Sequence, residues 1–274
     1  MVSVTQQTLE RSSSRIAQLF LRYGRAATSL RRVPVLGSCM SWIGQKIVPR
    51  ESLTWIQVRK GLAAGIWLRL NSRTGLEMMD GAVEPKVQNV LRERLAAGAT
   101  FYDVGANIGF FSLLGARLVG PSGRVVAFEV DPENASRLRE HAERNAFSWL
   151  NVEETAAWSK SGAVSFARCD PAMSPDRGLG SVVGSDGIGT ISVKATSLDD
   201  YAQRFPAPDV IKCDVEGSEI EVFRGAQRVL TDKRPIIVCE VHSEENRLAL
   251  IESFSQFAYQ CMDCDDRHVL ALPL

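Results

Sequence analysis

A glycine-rich turn is the stretch of this 274-residue sequence whose residue types and spacing best suit chemistry. An apolar segment ends at Asp103, and Gly105 and Gly109 follow with Asn107 between them. Gly105 permits a tight turn and a close backbone approach to a ligand. A dinucleotide fingerprint would read G-x-G-x-x-G, whereas this turn reads G-x-x-x-G behind a carboxylate. That carboxylate would repel a pyrophosphate and suits a cationic ligand such as S-adenosylmethionine, which carries a sulfonium and an ammonium.

The next two segments supply candidates for the remaining parts of such a ligand. Glu129 closes the following apolar segment, 24 residues after Gly105. An acid at that place in a doubly wound fold accepts hydrogen bonds from ribose hydroxyls. Ala156, Ala157 and Trp158 follow the third strand candidate and are predicted to flank the adenine. The same acid would also suit an NAD(P)-dependent oxidoreductase, which stays as the alternative function, together with a non-catalytic binding module.

Acidic residues and one histidine follow two later strand candidates. Asp214, Glu216 and Glu219 come after the fourth core strand, and Glu240 and His242 end the next. Strand alternation places Glu240 and His242 on one side. Since histidine titrates near neutrality, His242 is the first candidate for a general base that deprotonates an acceptor hydroxyl. Asp214 is the second candidate, or it orients the acceptor or contacts the methionine ammonium, and Glu216 and Glu240 are candidates to bind the acceptor.

Structural roles compete for the same residues. Acids such as Glu216 and Glu219 stabilise the start of a helix by interacting with its dipole. His242 could serve only to form hydrogen bonds with the neighbouring backbone. Clustered carboxylates could also hold Mg²⁺. We predict no metal here, because Lys212 and helix capping explain much of the cluster.

The segments that must position these residues alternate between strand and helix patterns from residue 100 onward. This alternation predicts an α/β fold with a doubly wound, mostly parallel sheet and helices on both faces. A glycine-rich stretch over residues 169–189 is predicted to be a long loop. The strand candidates are 53–59, 65–70, 100–104, 124–129, 150–154, 163–168, 190–194, 209–213 and 235–241. The helix candidates are 84–97, 108–119, 132–146, 197–204, 218–230 and 243–256.

Composition sets the class of protein and its division into parts. Equal numbers of basic and acidic residues, 32 each, and 45% hydrophobic residues are ordinary for a folded domain. No apolar run reaches the length of a membrane span, and six scattered cysteines favour reduced thiols in the cytoplasm. We predict a basic helical extension over residues 1–50, a small β segment over 51–75 and a cofactor-binding domain over 76–274.

The basic extension holds eight basic residues and one acidic residue. Its apolar residues follow helical spacing, so residues 7–32 are predicted to form a basic amphipathic helix. Such a helix lies on an anionic membrane, docks on a partner or packs on its own domain, and these alternatives stay open. Nucleic-acid binding is not expected, because the basic residues lack interleaved aromatics and the rest of the chain is acidic.

Three segments together resemble the FkbM-type family of S-adenosylmethionine-dependent methyltransferases. They are Asp103–Gly109 (DVGANIG), Asp209–Glu219 (DVIKCDVEGSE) and Pro235–His242 (PIIVCEVH). The resemblance covers roughly residues 76–242, with one departure: the family usually has Glu-Pro where this chain reads Glu129-Val-Asp-Pro132. It implies a class I methyltransferase fold, S-adenosylmethionine as cofactor and O-methylation of a hydroxyl on a sugar, glycan or polyketide-derived acceptor.

Overall fold

The computed structural model describes residues 53–71, 75–167, 181–183 and 190–274. The predicted amphipathic helix over residues 7–32, the whole 1–50 extension and most of the predicted 169–189 loop lie outside the described residues. No helix within the described residues is long and apolar enough to cross a membrane.

Thirteen strands and seven α-helices make up the described part of the chain. The strands are β1 (Leu53–Gln57), β2 (Trp67–Asn71), β3 (Thr100–Val104), β4 (Arg124–Phe128), β5 (Leu150–Glu153), β6 (Ala156–Ala157), β7 (Gly162–Ala167), β8 (Ser181–Val183), β9 (Thr190–Thr196), β10 (Val210–Cys213), β11 (Ile236–Glu240), β12 (Tyr259–Asp263) and β13 (His268–Pro273). The helices are α1 (Leu76–Asp80), α2 (Pro85–Arg94), α3 (Phe110–Val119), α4 (Pro132–Arg144), α5 (Leu198–Ala202), α6 (Glu219–Arg224) and α7 (Glu244–Gln256).

The central sheet has seven strands in the order β12-β13-β11-β10-β3-β4-β5. Five of them, from β11 to β5, run parallel, while β13 and β12 extend the sheet antiparallel at one edge. The chain runs from β3 outward to β5 on one side and returns to β10 on the other. The strand order therefore reverses beside β3, and ligands of doubly wound sheets bind at this switch point.

Alternate residues of the central strands face two separate hydrophobic clusters. Phe101 and Val125 pack in the cluster that contains α2, α3 and the β1–β2 hairpin. Tyr102 and Val126 pack in the opposite cluster with α5, α6 and α7. Because both faces of the sheet are covered by helices, its central parallel strands β3 and β10 are buried throughout, as in a doubly wound fold. The fold class expected from the sequence is confirmed.

The β1–β2 hairpin packs on α4. The side chain of Asn145 accepts from the backbone N–H of Trp67 at 2.8 Å and donates to its carbonyl at 2.8 Å. The backbone N–H of Arg69 donates to Nε2 of His141 at 2.8 Å. Burial lowers the pKa of His141 to about 4, so its ring is a neutral acceptor at neutral pH.

Two expectations need correction. The segments at 163–168 and 190–194 are strands, as predicted, but they do not join the parallel sheet. They form β7 and β9 of a separate four-stranded sheet with the order β6-β9-β7-β8, in which β7 is antiparallel to both its neighbours. A strand in the parallel sheet must be apolar on both faces, whereas Gly162 and Ala163 are exposed. The helix predicted over 218–230 is interrupted at Gly225, after α6, and a π-helix follows at Val229–Lys233.

Candidate functional site

A cavity that is partly open to solvent lies at the carboxyl ends of β3, β4 and β10, with about 640 Å³ of space inside it when the open solvent is included. It lies at the point where the strand order reverses, as expected for a ligand site in this fold. Its lining residues are Val104, Gly105, Asn107, Phe128, Glu129, Val130, Asn134, Thr155, Ala156, Ala157, Phe166, Asp214, Val215, Glu216 and Ser218.

The glycine turn forms one wall of the cavity. Gly105 has φ +79°, and a Cβ atom there would lie 1.7 Å from the carbonyl oxygen of Asp214. Only glycine fits where the β3 turn meets the end of β10. Gly109 serves a different contact, because its Cβ would lie 1.9 Å from Cδ1 of Leu138, on α4. It is not among the lining residues, so a contact between Gly109 and the cofactor stays a prediction, and its observed contact is with Leu138.

Asp103 lies inside the protein and does not line the cavity. Its Oδ2 accepts from Oγ of Ser112 on α3 at 2.5 Å. Alternation along β3 puts Asp103 on the same side as Phe101, toward α3. Val104 and Gly105 therefore line the cavity, and Asp103 does not. Burial raises the pKa of Asp103. The positive charge of Lys212, which lies opposite Asp103 in the β3–β10 register, opposes this rise. A direct contact between Asp103 and a cofactor therefore stays a prediction that this placement does not support.

Glu129 presents its carboxylate at the cavity wall. Its Oε2 accepts from the backbone N–H of Asn107 at 2.6 Å, and its Oε1 accepts from that of Asp131 at 2.8 Å. A carboxylate has about four acceptor positions, so two remain for ligand hydroxyls. Burial raises the pKa of Glu129 to about 7. The family usually has proline directly after this glutamate, whereas this chain has Val130 and then Asp131. Asp131 caps α4 by accepting from the N–H of Glu133 at 2.8 Å.

Apolar side chains of the second sheet also line the cavity. Ala156 and Ala157 of β6 and Phe166 of β7 line it. Trp158, predicted beside them, is not among the lining residues. Sequence reasoning missed Phe166, because its strand belongs to the second sheet, whose position the sequence pattern does not reveal.

His242 lies beside the cavity among three carboxylates. Its Nδ1 is 2.8 Å from Oε1 of Glu219, and its Nε2 is 3.2 Å from Oε2 of Glu216 and 3.8 Å from Oδ1 of Asp214. The hydrogen bonds with Glu216 and Glu219 raise the pKa of His242 to about 10, against its partial burial. The structure thus brings together three of the predicted site residues, His242, Asp214 and Glu216. It adds Glu219, for which the sequence indicated only a helix start.

Lys212 is a buried cation under this cluster. Its Nζ lies 3.0 Å from Oδ2 of Asp214, and its side chain is 4% exposed. Burial opposes ionisation of Asp214, but Lys212 prevails and holds the pKa of Asp214 below its ordinary value. An aspartate held ionised by an ammonium is a weak proton acceptor, which favours an orienting role for Asp214 over the role of base.

Glu240 faces a second group of charges. Its Oε1 lies 2.8 Å from Nη1 of Arg267, and its Oε2 lies 3.8 Å from Nε2 of His268. It is not among the residues that line the cavity, so binding of the acceptor by Glu240 stays a prediction. Ligand-type atoms of Asp214, Glu240 and His242 lie within 4.8 Å of one another. Because Lys212 and Arg267 already pair with these carboxylates, we assign no metal to them.

Comparisons with known proteins agree with this geometry. The family model described as the methyltransferase FkbM domain matches residues 103–262, more than half of the chain. The hexuronic acid methyltransferase AglP of Haloferax volcanii is 30% identical over 162 residues, which are 58% of this chain and 63% of that protein. The match thus spans less than two thirds of that relative's length. A probable cobalt-precorrin-6B C(15)-methyltransferase (decarboxylating) of Sulfolobus acidocaldarius is 39% identical over 70 residues, 26% of this chain and 35% of that protein.

Solved structures show a more distant likeness. A methyltransferase FkbM from Methylobacillus flagellatus KT aligns with a TM-score of 0.46 at 21% identity, covering 67% of this chain and 50% of that one. Fibrillarin of Aeropyrum pernix, solved with natively bound S-adenosyl-L-methionine, aligns with a TM-score of 0.44 at 14% identity, covering 68% of this chain and 72% of that one.

Proposed function

Because the chain belongs to the FkbM family of S-adenosylmethionine-dependent methyltransferases, we propose that it methylates a hydroxyl oxygen on a sugar, glycan or polyketide-type acceptor. One observation carries this proposal. Asp214 and Glu216 line the cavity and also approach Nε2 of His242. A candidate base thus adjoins the space that would hold the methyl donor. Family membership removes the support for the alternative of NAD(P)-dependent oxidoreduction.

The cavity suits S-adenosylmethionine, which when bound supplies a methyl group on a sulfonium. The backbone at Gly105 and Asn107 would contact the methionine part, and the free acceptor positions of Glu129 would take the ribose hydroxyls. The apolar wall of Ala156, Ala157 and Phe166 would flank the adenine. Each of these residues lines the cavity.

His242 would accept the proton that the acceptor hydroxyl loses as its oxygen attacks the methyl carbon. A hydroxyl is a poor nucleophile at neutral pH, and a positioned base contributes about 10²–10⁴-fold to such a step. In the described conformation both ring nitrogens contact glutamates, so the ring is an imidazolium. His242 can act as the base only after Nε2 is released and the ring becomes neutral.

A carbohydrate is the acceptor class we favour. The relative from Haloferax volcanii is described as a hexuronic acid methyltransferase, which leads us to propose acceptors that contain a hexuronic acid. We further propose that the chain works in the cytoplasm and that residues 7–32 contact an anionic membrane surface.

A methyl-transfer assay tests this proposal. Full-length protein would be incubated with S-adenosylmethionine labelled on the methyl group and a panel of hexuronic acid glycosides, neutral glycosides and polyketide alcohols. We expect label on a hydroxyl oxygen of at least one acceptor, as an ether that resists alkali. Label that alkali releases would show methylation of a carboxylate and contradict the hydroxyl assignment. Cofactor binding without transfer to any acceptor would favour a binding module.

The affinity for S-adenosylhomocysteine is expected to fall in mildly acidic solution. In the free protein Glu129 has a pKa of about 7, and ribose hydroxyls donate best to its ionised form. Below pH 7 binding must therefore release a proton, and the dissociation constant should rise by about tenfold per pH unit down to pH 5.5. His141, with a pKa of about 4, and His242, with a pKa of about 10, do not titrate in this range.

Calorimetry at pH 5.5, 6.5 and 8.0 would measure this dependence. Glu129→Gln is the matched control, because a glutamine of nearly the same shape cannot ionise. Its affinity should be lower at pH 8.0 and should change much less with pH. Equal affinity of the wild-type protein at all three pH values would show that Glu129 does not bind the ligand through its ionised carboxylate.

A further inference from the structure

We propose that Glu219 positions the His242 ring through Nδ1, and that Glu216 is a latch on Nε2 that the incoming acceptor displaces. The inference rests on the proposed function, in which His242 is the base. It assigns different tasks to two glutamates that lie three residues apart and contact opposite nitrogens of one ring.

Glu219 is held in place by several partners. Its side chain is fully buried, and its Oε1 accepts from the backbone N–H of Gly217 at 2.9 Å while contacting Nδ1 of His242 at 2.8 Å. Nδ2 of Asn246, on α7, donates to its Oε2 at 3.4 Å. A buried, multiply bonded carboxylate on Nδ1 selects the tautomer in which Nδ1 carries the hydrogen and turns Nε2 outward. Carboxylates orient catalytic histidines in this way in other enzymes.

Glu216 has the opposite character. It lines the cavity, its side chain is 29% exposed, and its backbone has φ +53°, a left-handed conformation that glutamate rarely adopts. Gly217 follows with φ +95°, and a Cβ atom there would meet nothing within 4 Å. Glu216 contacts Nε2 of His242 at 3.2 Å, at the atom that a hydroxyl must reach. A partly exposed side chain beside a glycine can move without disturbing the core.

The surrounding charges explain why the latch matters. Asp214, from the end of β10, lies 3.8 Å from Nε2, but Lys212 already neutralises it at 3.0 Å. Glu240, from β11, pairs with Arg267, and α7 contributes the neutral Asn246. Glu216 and Glu219 are thus the carboxylates that hold the ring charged, and the hydrogen bond with Glu216 is the largest single cause of its raised pKa. Displacing Glu216 would lower that pKa and bring the hydroxyl to a neutral Nε2 in one event.

Nitrogen NMR of the histidine rings tests both assignments without any acceptor. The chain has three histidines, and His242→Asn identifies the signals of His242. We expect the wild-type ring to stay protonated through pH 8, and Glu216→Gln to lower its pKa by at least about one unit while Nδ1 keeps its hydrogen in the neutral form. Glu219→Gln should instead yield a mixture of tautomers. Glu221→Gln, at a partly exposed glutamate of α6 that pairs with Arg224, should change neither property.

Three results would overturn the inference: a wild-type His242 pKa near 6.5, no change of that pKa in Glu216→Gln, or an unchanged tautomer in Glu219→Gln. None of them involves methyl transfer, so they are separate from a failure of the proposed function. With a working acceptor, Glu219→Gln should lower kcat by at least about tenfold with little change in KM. Glu216→Gln should move the acid limb of the kcat/KM profile, which reports the free enzyme with Glu216 still on Nε2, to lower pH.

Discussion

Replacing Glu129 by alanine is expected to weaken the binding of S-adenosylhomocysteine by at least about 100-fold. The proposed ribose contacts are two hydrogen bonds to a buried carboxylate, and each bond to a charged group contributes about 1.5–3 kcal/mol. Their joint loss exceeds the roughly 2.8 kcal/mol that corresponds to two factors of ten in affinity. Isothermal titration calorimetry at pH 8 measures the change directly.

Asp131→Ala separates this effect from a loss of stability. Glu129 also accepts from the N–H groups of Asn107 and Asp131, so Glu129→Ala removes support from the turn as well. Asp131→Ala removes a neighbouring buried acid that caps α4, at a cost of about 1 kcal/mol, but leaves the cavity carboxylate intact. If Asp131→Ala lost affinity as severely as Glu129→Ala, the ribose assignment would be untenable.

Replacing His242 by asparagine is expected to lower kcat for methyl transfer by about 10²–10⁴-fold, the range that a general base contributes. Asparagine can still donate a hydrogen bond to Glu219, but it cannot accept the hydroxyl proton. The dissociation constant of S-adenosylhomocysteine should stay unchanged, because His242 is not among the residues that line the cavity. Single-turnover transfer of labelled methyl to the best acceptor of the panel provides the rate.

Ser243→Ala is the control for this variant. Ser243 is the next residue and caps α7 by accepting from the N–H of Asn246 at 3.1 Å. Loss of this cap lowers stability but does not remove a proton acceptor, so kcat should stay close to the wild-type value. Wild-type turnover by His242→Asn would reject His242 as the base and direct attention to Asp214.

The sequence predicted the fold, and it singled out Gly105, Asn107 and Glu129, which line the cavity, because these features depend on local patterns. Buried parallel strands are continuous apolar runs, and Gly105 is needed where the chain turns against Asp214. Glu129 could be found because it closes a strand of known direction at the switch point. Each of these features can be read within a few residues of the chain.

The remaining features depend on contacts between distant segments. Strand alternation turned Asp103 toward Ser112 on α3, and Gly109 was needed for packing against Leu138. Phe166 reaches the cavity through a second sheet whose pairing the sequence did not reveal. The charge state of His242 is set by Glu216 and Glu219, which lie 26 and 23 residues away in sequence, so a single pattern could not reveal it.

The crystal structure of the protein with bound S-adenosylhomocysteine tests most directly whether this cavity holds the methyl donor. The measurement is the distance from the carboxylate oxygens of Glu129 to the two ribose hydroxyl oxygens. Both hydroxyls are expected within about 3.0 Å of Glu129, with the adenine against Ala156, Ala157 and Phe166 and the sulfur on the side of His242. A ribose that lies out of hydrogen-bonding reach of Glu129, or a ligand bound outside the cavity, would contradict the assignment of this site.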